Sequence, residues 1–301
     1  MSDLIYTQAG KAPVNGIEIY YETFGNAKNS AILLIMGLDA QCLMWSELII
    51  KPLVEAGYYV VRFDNRDIGL STWMNDSWNK KKPYTLEDMA QDSIELLDFL
   101  NIKDAHIMGV SMGGMIAQRM GISYPERVKS LALIMTSGYS LDLKVAPNFR
   151  EKIFRVSLPF LLKNVKLKNK YFMKEATVSS YLALYKYLAG KRFPFREDFF
   201  RELFTYTIEV RKGQNPKARF QQFCALVASG SRLKELYKIK APTLVLHGTD
   251  DKLVPHIHAK TYAPLIPQAK VVWMEDVGHE LPLGILPEIL PEFFELFKQA
   301  E

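Results

Sequence analysis

Short apolar runs recur along the chain, separated by stretches in which apolar positions follow a helical period. The runs lie near residues 31–36, 58–63, 105–110, 130–136, 243–247 and 270–275. Between the second and the third run, residues 86–100 place apolar side chains three or four positions apart, which is the spacing of one helix face. This alternation predicts an α/β protein with a mostly parallel sheet covered by helices on both faces.

Two segments depart from this rhythm. Residues 16–24 read Gly-Ile-Glu-Ile-Tyr-Tyr-Glu-Thr-Phe, and their period of two predicts an antiparallel strand at one edge of the sheet. The rhythm also stops after Gly138 and resumes near Ala241, with helical patterns and no convincing strand between them. The sequence therefore predicts one core domain formed by residues 1–138 and 239–301, interrupted by a helical insertion over 139–238.

Residues 109–113 read Gly-Val-Ser-Met-Gly and lie between a predicted strand and a helix-like stretch, Met115 to Tyr124. A serine with glycines two positions before and after it is typical of the nucleophile elbow, a tight strand-to-helix turn that exposes the hydroxyl. The serine backbone is strained there, and a Cβ at either flank would collide with the neighbouring strand or helix. Ser111 is the candidate nucleophile, and an ordinary turn serine is the alternative.

A serine hydroxyl becomes nucleophilic when a histidine takes its proton and a carboxylate holds that histidine. Four histidines follow Ser111, and His279 is the best candidate for the base. Residues 270–276 predict a strand, and Val-Gly-His at 277–279 leaves the end of that strand. Loops at strand ends commonly carry catalytic groups, although His279 could instead hold the loop in a structural role.

The acid is expected in the loop after the predicted strand at 243–247. That loop reads Gly-Thr-Asp-Asp-Lys-Leu-Val-Pro and contains two adjacent aspartates, Asp250 and Asp251. An acid there would lie beside the His279 loop if the two strands are neighbours. The residues alone leave both aspartates as candidates.

Three motifs together carry a family resemblance. They are Gly-x-Ser-x-Gly at 109–113, Gly-x-x-Asp-x-x-x-Pro at 248–255 and Gly-His at 278–279, and they resemble the α/β-hydrolase superfamily across nearly the whole chain. The resemblance implies an α/β-hydrolase fold, and it matches Asp251 rather than Asp250 to the acid of the triad. It also implies that the helical insertion is a cap, or lid, over the active site.

Two further strings resemble the aclacinomycin methylesterase-like branch of that superfamily. They are Leu-Ile-Met-Gly-Leu at 34–38 and Arg-Phe-Asp-Asn-Arg-Asp-Ile-Gly-Leu-Ser-Thr at 62–72. The resemblance implies an oxyanion hole made by the backbone N–H groups of Leu38 and Met112, each worth roughly a hundred- to a thousandfold in rate. Met36 stands where histidine is commoner in the superfamily, and this leaves both backbone donors possible.

Several other polar residues are interpreted as structural. In the polar loop at 64–71, Asp64, Arg66 and Asp67 are expected to brace their own turn by charge-assisted hydrogen bonds, with direct contact to the substrate as the alternative. His106 and His247 are expected to be core or supporting histidines. His256 and His258 form a His-x-His near two aspartates, but no third ligand of matching spacing accompanies them, so a solvated helix start is favoured over a metal site. No cofactor and no metal are expected.

Composition agrees with a single catalytic unit. The chain has 301 residues, of which 49% are hydrophobic, enough to bury a large core. No run of about 18 apolar residues predicts a membrane span, and the first residues do not resemble a signal peptide. Two cysteines are too few for a disulfide framework. A cytoplasmic location is therefore the default expectation.

Charge is distributed unevenly along the chain. Residues 141–238 contain 21 Lys and Arg against 8 Asp and Glu, whereas the rest of the chain contains 17 against 25. The densest basic run, residues 155–174, could make a peripheral contact with an anionic membrane surface or attract anionic substrates. A solvated surface whose lysine stems cover apolar groups is the favoured interpretation. No nucleic-acid recognition module is visible, and no pattern bears on oligomeric state.

The function implied by the resemblance is hydrolysis of a small or medium carboxylic ester. Aromatic segments at 193–195 and 199–200 suggest a site for an apolar acyl or ring portion. Hydrolysis of a carbon–carbon bond or perhydrolysis would use the same triad, and a non-catalytic ligand-binding protein is a further alternative. Epoxide hydrolases and haloalkane dehalogenases are disfavoured, because they need a carboxylate nucleophile and position 111 is serine.

Overall fold

The computed structural model describes residues 6–75, 77–142, 145 and 170–301, with the side chains of 170–173 excepted. In this part of the chain eight strands form one sheet, in the order β1-β2-β4-β3-β5-β6-β7-β8. The strands are β1 (Gln8–Val14), β2 (Ile17–Phe24), β3 (Ala31–Ile35), β4 (Tyr59–Phe63), β5 (Ala105–Val110), β6 (Val128–Ile134), β7 (Thr243–Gly248) and β8 (Lys270–Met274).

Strands β3 to β8 are parallel to one another, and β2 joins them antiparallel through β4. This arrangement agrees with the predicted mostly parallel sheet. The first strand, β1, was not predicted, and it pairs with β2 in a hairpin. The turn contains Asn15 (φ 45°) and Gly16 (φ 76°). An Asn-Gly pair with two positive φ angles is the strongest short-range hairpin signal, so the sequence did contain a cue for β1.

Helices cover both faces of the sheet. The described helices are α1 (Glu47–Glu55), α2 (Leu86–Phe99), α3 (Met112–Ser123), α4 (Lys170–Leu188), α5 (Glu197–Glu209), α6 (Ala218–Ser229), α7 (Ile257–Tyr262) and α8 (Leu286–Lys298). Because side chains alternate along a strand, Leu33 of β3 packs in the apolar cluster that contains α2 and α3. Its neighbour Leu34 packs in the cluster that contains α1 and α8.

Helices α4, α5 and α6 fall between β6 and β7, within the predicted insertion at 139–238. Helices α4 and α5 share a small apolar cluster of their own, which includes Val178, Phe200 and Phe204. The buried Arg232 connects the two ends of the insertion. Its backbone N–H donates to the Gly138 carbonyl at 3.1 Å, and its Nη2 donates to the Ser137 carbonyl at 3.0 Å.

The basic run at 155–174 was considered for contact with an anionic membrane surface. Its residues 155–169 lie outside the part of the chain that the structure describes. In the ranges that the structure does describe, no helix is long and apolar enough to cross a membrane.

Candidate active site

The nucleophile candidate lies between β5 and α3. Ser111 has φ 55° and ψ −119°, a strained backbone for a residue with a side chain. A Cβ on Gly109 would lie 2.4 Å from the Gly113 carbonyl oxygen, and one on Gly113 would lie 2.2 Å from the Ile35 carbonyl oxygen. Both glycines are therefore required by close backbone approaches, as the elbow motif predicts.

The base candidate lies in the loop that follows β8. The Nε2 atom of His279 is 3.0 Å from the Oγ atom of Ser111. The backbone N–H of His279 donates to the Leu188 carbonyl, the last residue of α4, at 2.8 Å. A Cβ on Gly278 would lie 2.0 Å from that same carbonyl oxygen. The insertion thus packs directly against the loop that carries His279, and glycine at 278 permits this contact.

The acid candidate lies in the loop after β7, which is the neighbour of β8 in the sheet. Oδ2 of Asp251 lies 2.6 Å from Nδ1 of His279. Its Oδ1 accepts the backbone N–H groups of Leu253 and Val254, at 2.9 and 2.7 Å. Burial alone would raise the pKa of Asp251, but His279 and His247 outweigh that effect and lower it to about 2. The carboxylate is therefore ionised, as a group that orients an imidazole must be.

The structure distinguishes the two adjacent aspartates. Asp251 is buried against His279, whereas the carboxylate of Asp250 lies 3.6 Å from Nζ of Lys191 and 4.0 Å from Nζ of Lys252. The side chain of His247 supports the acid loop, since its Nε2 donates to the Val254 carbonyl at 2.7 Å. The geometry favours Asp251 as the acid, as the family pattern implied.

The two predicted oxyanion donors flank Ser111. Met112 is the first residue of α3, and the N–H groups of a first helical turn have no partner within the helix. The loop after β3 comes close on the other side, because a Cβ on Gly37 would lie 3.2 Å from Cβ of Ser111. Within the described residues, the N–H of Leu38 makes no hydrogen bond to the protein. The geometry leaves both groups available, and their role stays a prediction.

A cavity of about 1860 Å³ opens over Ser111 and His279. Its lining is mostly apolar and comes from both the core and the insertion, including Met36, Trp45, Phe193, Phe199, Phe200 and Phe223. Of the aromatic segments singled out in the sequence, residues 193, 199 and 200 line the cavity. Phe195 instead stacks on Phe200 at 5.1 Å between ring centroids. Such a cavity suits a bulky apolar group.

One polar residue of this cavity was not anticipated from the sequence. Glu280 follows His279 directly and lines the cavity. Burial raises the pKa of its carboxyl group to about 7. The signal available in the sequence was only its adjacency to the predicted base, because its burial depends on how the insertion packs.

The polar loop at 64–71 differs from expectation in its partners. Asp64 does brace its own turn, since its Oδ2 accepts the Leu70 N–H at 3.0 Å. Arg66, however, reaches away from the turn and pairs with Asp92 of α2. Asp64 also binds Arg211 of the insertion at 2.9 Å. The loop therefore connects the core to α2 and to the insertion, and is not a self-contained turn.

The remaining histidines have structural surroundings. His106 is buried at the start of β5, with Nδ1 2.8 Å from Oγ of Ser130. His256 precedes α7, and its ring lies edge-on to Trp273 at 6.0 Å. Among the residues that the structure describes, no three His, Cys, Asp or Glu side chains are grouped as metal ligands would be.

Comparison with known proteins adds three findings. A sequence profile of the alpha/beta hydrolase fold matches residues 30–283. The chain is 27% identical to two rhodomycin D methylesterases, DnrP of Streptomyces peucetius over 276 residues and DauP of Streptomyces sp. (strain C5) over 284 residues. Each match covers 89% of this chain and 91% of the relative. A bacterial membrane phospholipase A superposes with a TM-score of 0.74 at 24% identity, covering 97% of this chain and 86% of that protein.

Proposed function

The chain belongs to the alpha/beta hydrolase fold family and is an enzyme of the serine hydrolase type, and on that premise we propose that Ser111, His279 and Asp251 are its catalytic triad. The observation that carries the proposal is the unbroken chain of contacts from Asp251 Oδ2 to His279 Nδ1, and from His279 Nε2 to Ser111 Oγ. Both distances are within hydrogen-bonding range, which the proton transfer between Ser111 and His279 and the orientation of His279 by Asp251 require.

The predicted α/β-hydrolase fold and the predicted resemblance to the methylesterase-like branch are both confirmed. Ester hydrolysis is the activity that these relatives support. The insertion at 139–238 is proposed as the cap, because α4 and α6 contribute side chains to the cavity over Ser111.

In the proposed acylation step, His279 Nε2 takes the proton of the Ser111 hydroxyl as Oγ attacks the ester carbonyl carbon. The negative charge that forms on the carbonyl oxygen is stabilised by the N–H groups of Leu38 and Met112. Asp251 holds His279 in the tautomer that carries hydrogen on Nδ1 and stabilises the imidazolium. His279 then returns the proton to the leaving alcohol, and an acyl-enzyme remains on Ser111.

In the proposed deacylation step, a water molecule gives its proton to His279 Nε2 and attacks the acyl carbon. The tetrahedral intermediate uses the same two backbone donors. Its collapse breaks the bond to Oγ of Ser111, which regains a proton from His279. The net reaction consumes one water and releases a carboxylic acid and an alcohol.

We propose that the substrate is an ester with a bulky apolar acyl or ring portion. The cavity supports this choice, because most of its lining surface is apolar. Methylesterase relatives favour a small alcohol as the leaving group. Apolar burial of the larger portion would then supply binding energy that grows with the area removed from water.

The decisive test is labelling of the purified protein with a fluorophosphonate probe, which reacts with activated serines. We expect labelling of the wild type and loss of labelling in Ser111→Ala, with Ser77→Ala, an exposed serine, as the matched control. Hydrolysis should then be measured on methyl esters of aromatic and short-chain acids, where the aromatic esters are expected to have the higher kcat/KM.

Two results would contradict the proposal. Equal labelling of the wild type and Ser111→Ala would remove Ser111 from the reaction. A second result would be labelling at Ser111 without turnover of any ester, together with cleavage of a carbon–carbon bond or perhydrolysis of acetate. This result would support the triad but contradict ester hydrolysis as the reaction.

A further inference from the structure

Asp39 directly follows the proposed oxyanion donor Leu38, on the loop that leaves β3. Its φ of 62° is left-handed, a conformation that residues with a side chain adopt rarely. The same loop passes against the nucleophile, as the short approach between Gly37 and Ser111 shows. The position of the Leu38 N–H relative to Ser111 therefore depends on what holds Asp39.

Three side chains of the helical insertion hold Asp39. Arg219 of α6 donates to Asp39 Oδ2 from Nε at 3.0 Å and from Nη2 at 2.7 Å. The hydroxyl of Tyr181, on α4, donates to the same oxygen at 2.9 Å. The backbone N–H of Asp39 donates to Oε1 of Gln222 at 2.8 Å. Charge-assisted bonds of this kind are strong where burial limits screening by water.

The insertion also contacts the loop beyond Asp39. Gln41 donates from Nε2 to the Gly213 carbonyl at 3.0 Å and to the Arg211 carbonyl at 3.3 Å. Gln222 extends the connection, since its Nε2 donates to the Arg66 carbonyl at 3.1 Å. The described polar contacts of the Asp39 carboxylate all come from the insertion, although Asp39 itself belongs to the core.

We propose that Arg219 and Tyr181 are positioning residues. By binding Asp39 they fix the loop after β3, which carries Leu38. Packing of the helical insertion against the core therefore determines the position of the Leu38 N–H. This inference rests on the proposed esterase function, because it requires Leu38 to stabilise an oxyanion. A donor is effective about 2.7–3.1 Å from the developing charge. A displacement of about 1 Å can cost roughly a hundredfold in rate.

The test compares Arg219→Gln, Arg219→Lys and Tyr181→Phe with the wild type in ester hydrolysis. We expect Arg219→Gln to lower kcat by about 10- to 100-fold with a much smaller change in KM, because the loss is in transition-state stabilisation. Arg219→Lys keeps the cation and should recover part of the rate, and Tyr181→Phe should lose less.

A second readout separates positioning from general loosening. A trifluoromethyl ketone forms a tetrahedral adduct with Ser111 whose oxygen occupies the oxyanion hole. Its inhibition constant should rise in Arg219→Gln by the same factor by which kcat/KM falls. The control is Arg192→Gln, which breaks another contact between the insertion and the core, Arg192 Nη2 to Glu288 Oε1 at 2.5 Å. This control should keep the wild-type kcat.

The outcomes are distinguishable. A lower melting temperature in Arg219→Gln with an unchanged kcat would overturn the inference and leave the esterase function intact. An equal loss of kcat in Arg192→Gln would also overturn it, because loosening of the insertion alone would then explain the effect. Absence of ester hydrolysis in the wild type would overturn both proposals.

Discussion

The partly buried carboxyl group of Glu280 allows a quantitative prediction about stability. Its pKa is raised from 4.5 to about 7 by burial, so the folded protein holds this proton more tightly than the unfolded chain does. Below about pH 4.5 the Glu280 carboxyl group is protonated in both states, so its burial does not lower the free energy of unfolding. The free energy of unfolding falls as pH rises from about 4.5 through about 7, because the unfolded chain ionises this group more readily than the folded protein does. Glu280→Gln keeps a neutral group of similar size at every pH and should escape this loss.

The magnitude follows from the two pKa values. Each unit of difference corresponds to about 1.4 kcal/mol of free energy, so a raise from 4.5 to about 7 is worth about 3 kcal/mol at most. The free energy of unfolding of Glu280→Gln should therefore be close to that of the wild type near pH 4.5. It should exceed the wild-type value by up to about 3 kcal/mol at pH 8.

Urea unfolding, followed by tryptophan fluorescence, measures this difference at a series of pH values. Glu202→Gln, a change at an exposed position of α5, controls for effects of pH on the chain as a whole. A difference between Glu280→Gln and the wild type that stays constant from pH 4.5 to 8 would refute the reasoning, because it would mean that the Glu280 carboxyl group is equally hydrated in both states.

Three further predictions concern the site and its support. Asp251→Asn should lower kcat by several powers of ten, whereas Asp250→Asn should have little effect; the reverse order in a steady-state assay would exchange the two roles. Gly278→Ala should lower kcat, because its Cβ would lie 2.0 Å from the Leu188 carbonyl oxygen and must displace the histidine loop; an unchanged kcat would show that the loop can yield. Arg232→Met should lower the melting temperature by several degrees in calorimetry, because it leaves the Ser137 carbonyl without its donor.

The strands that position the site were predictable because their signal is local. The run that became β3 is apolar throughout, and the runs that became β5 and β7 are apolar apart from His106, Thr243 and His247, as is typical of strands buried on both faces. The first strand was missed because Gln8–Val14 contains a glycine, a lysine and a proline and shows no clear alternation. Pairing with β2 across the Asn15–Gly16 turn stabilises this segment, and that contribution comes from outside its own sequence.

The candidate triad was predictable for a related reason. A short motif marks the nucleophile elbow, the loop that carries Asp251 and the loop that carries His279. Each motif contains glycine because the backbone makes a close approach at the end of a strand, where a Cβ would clash. Glu280 has no motif, since its pKa depends on burial by neighbours that are distant in sequence. The partner of Arg66 was also unpredictable, because the sequence does not show that α2 brings Asp92 against it.

The helical insertion contacts the candidate site directly, which its own sequence pattern does not predict. It contacts both loops that are proposed to assist Ser111. The Leu188 carbonyl contacts the loop that carries His279, and Arg219 contacts the loop that carries Leu38 and Asp39. Ser111, the proposed nucleophile, is held by the core, because the constraints on Gly109 and Gly113 come from β3 and α3. Because the proposed nucleophile is held by the core and the groups proposed to assist it are held by the insertion, changes at the insertion residues that contact these two loops should alter kcat as well as substrate preference.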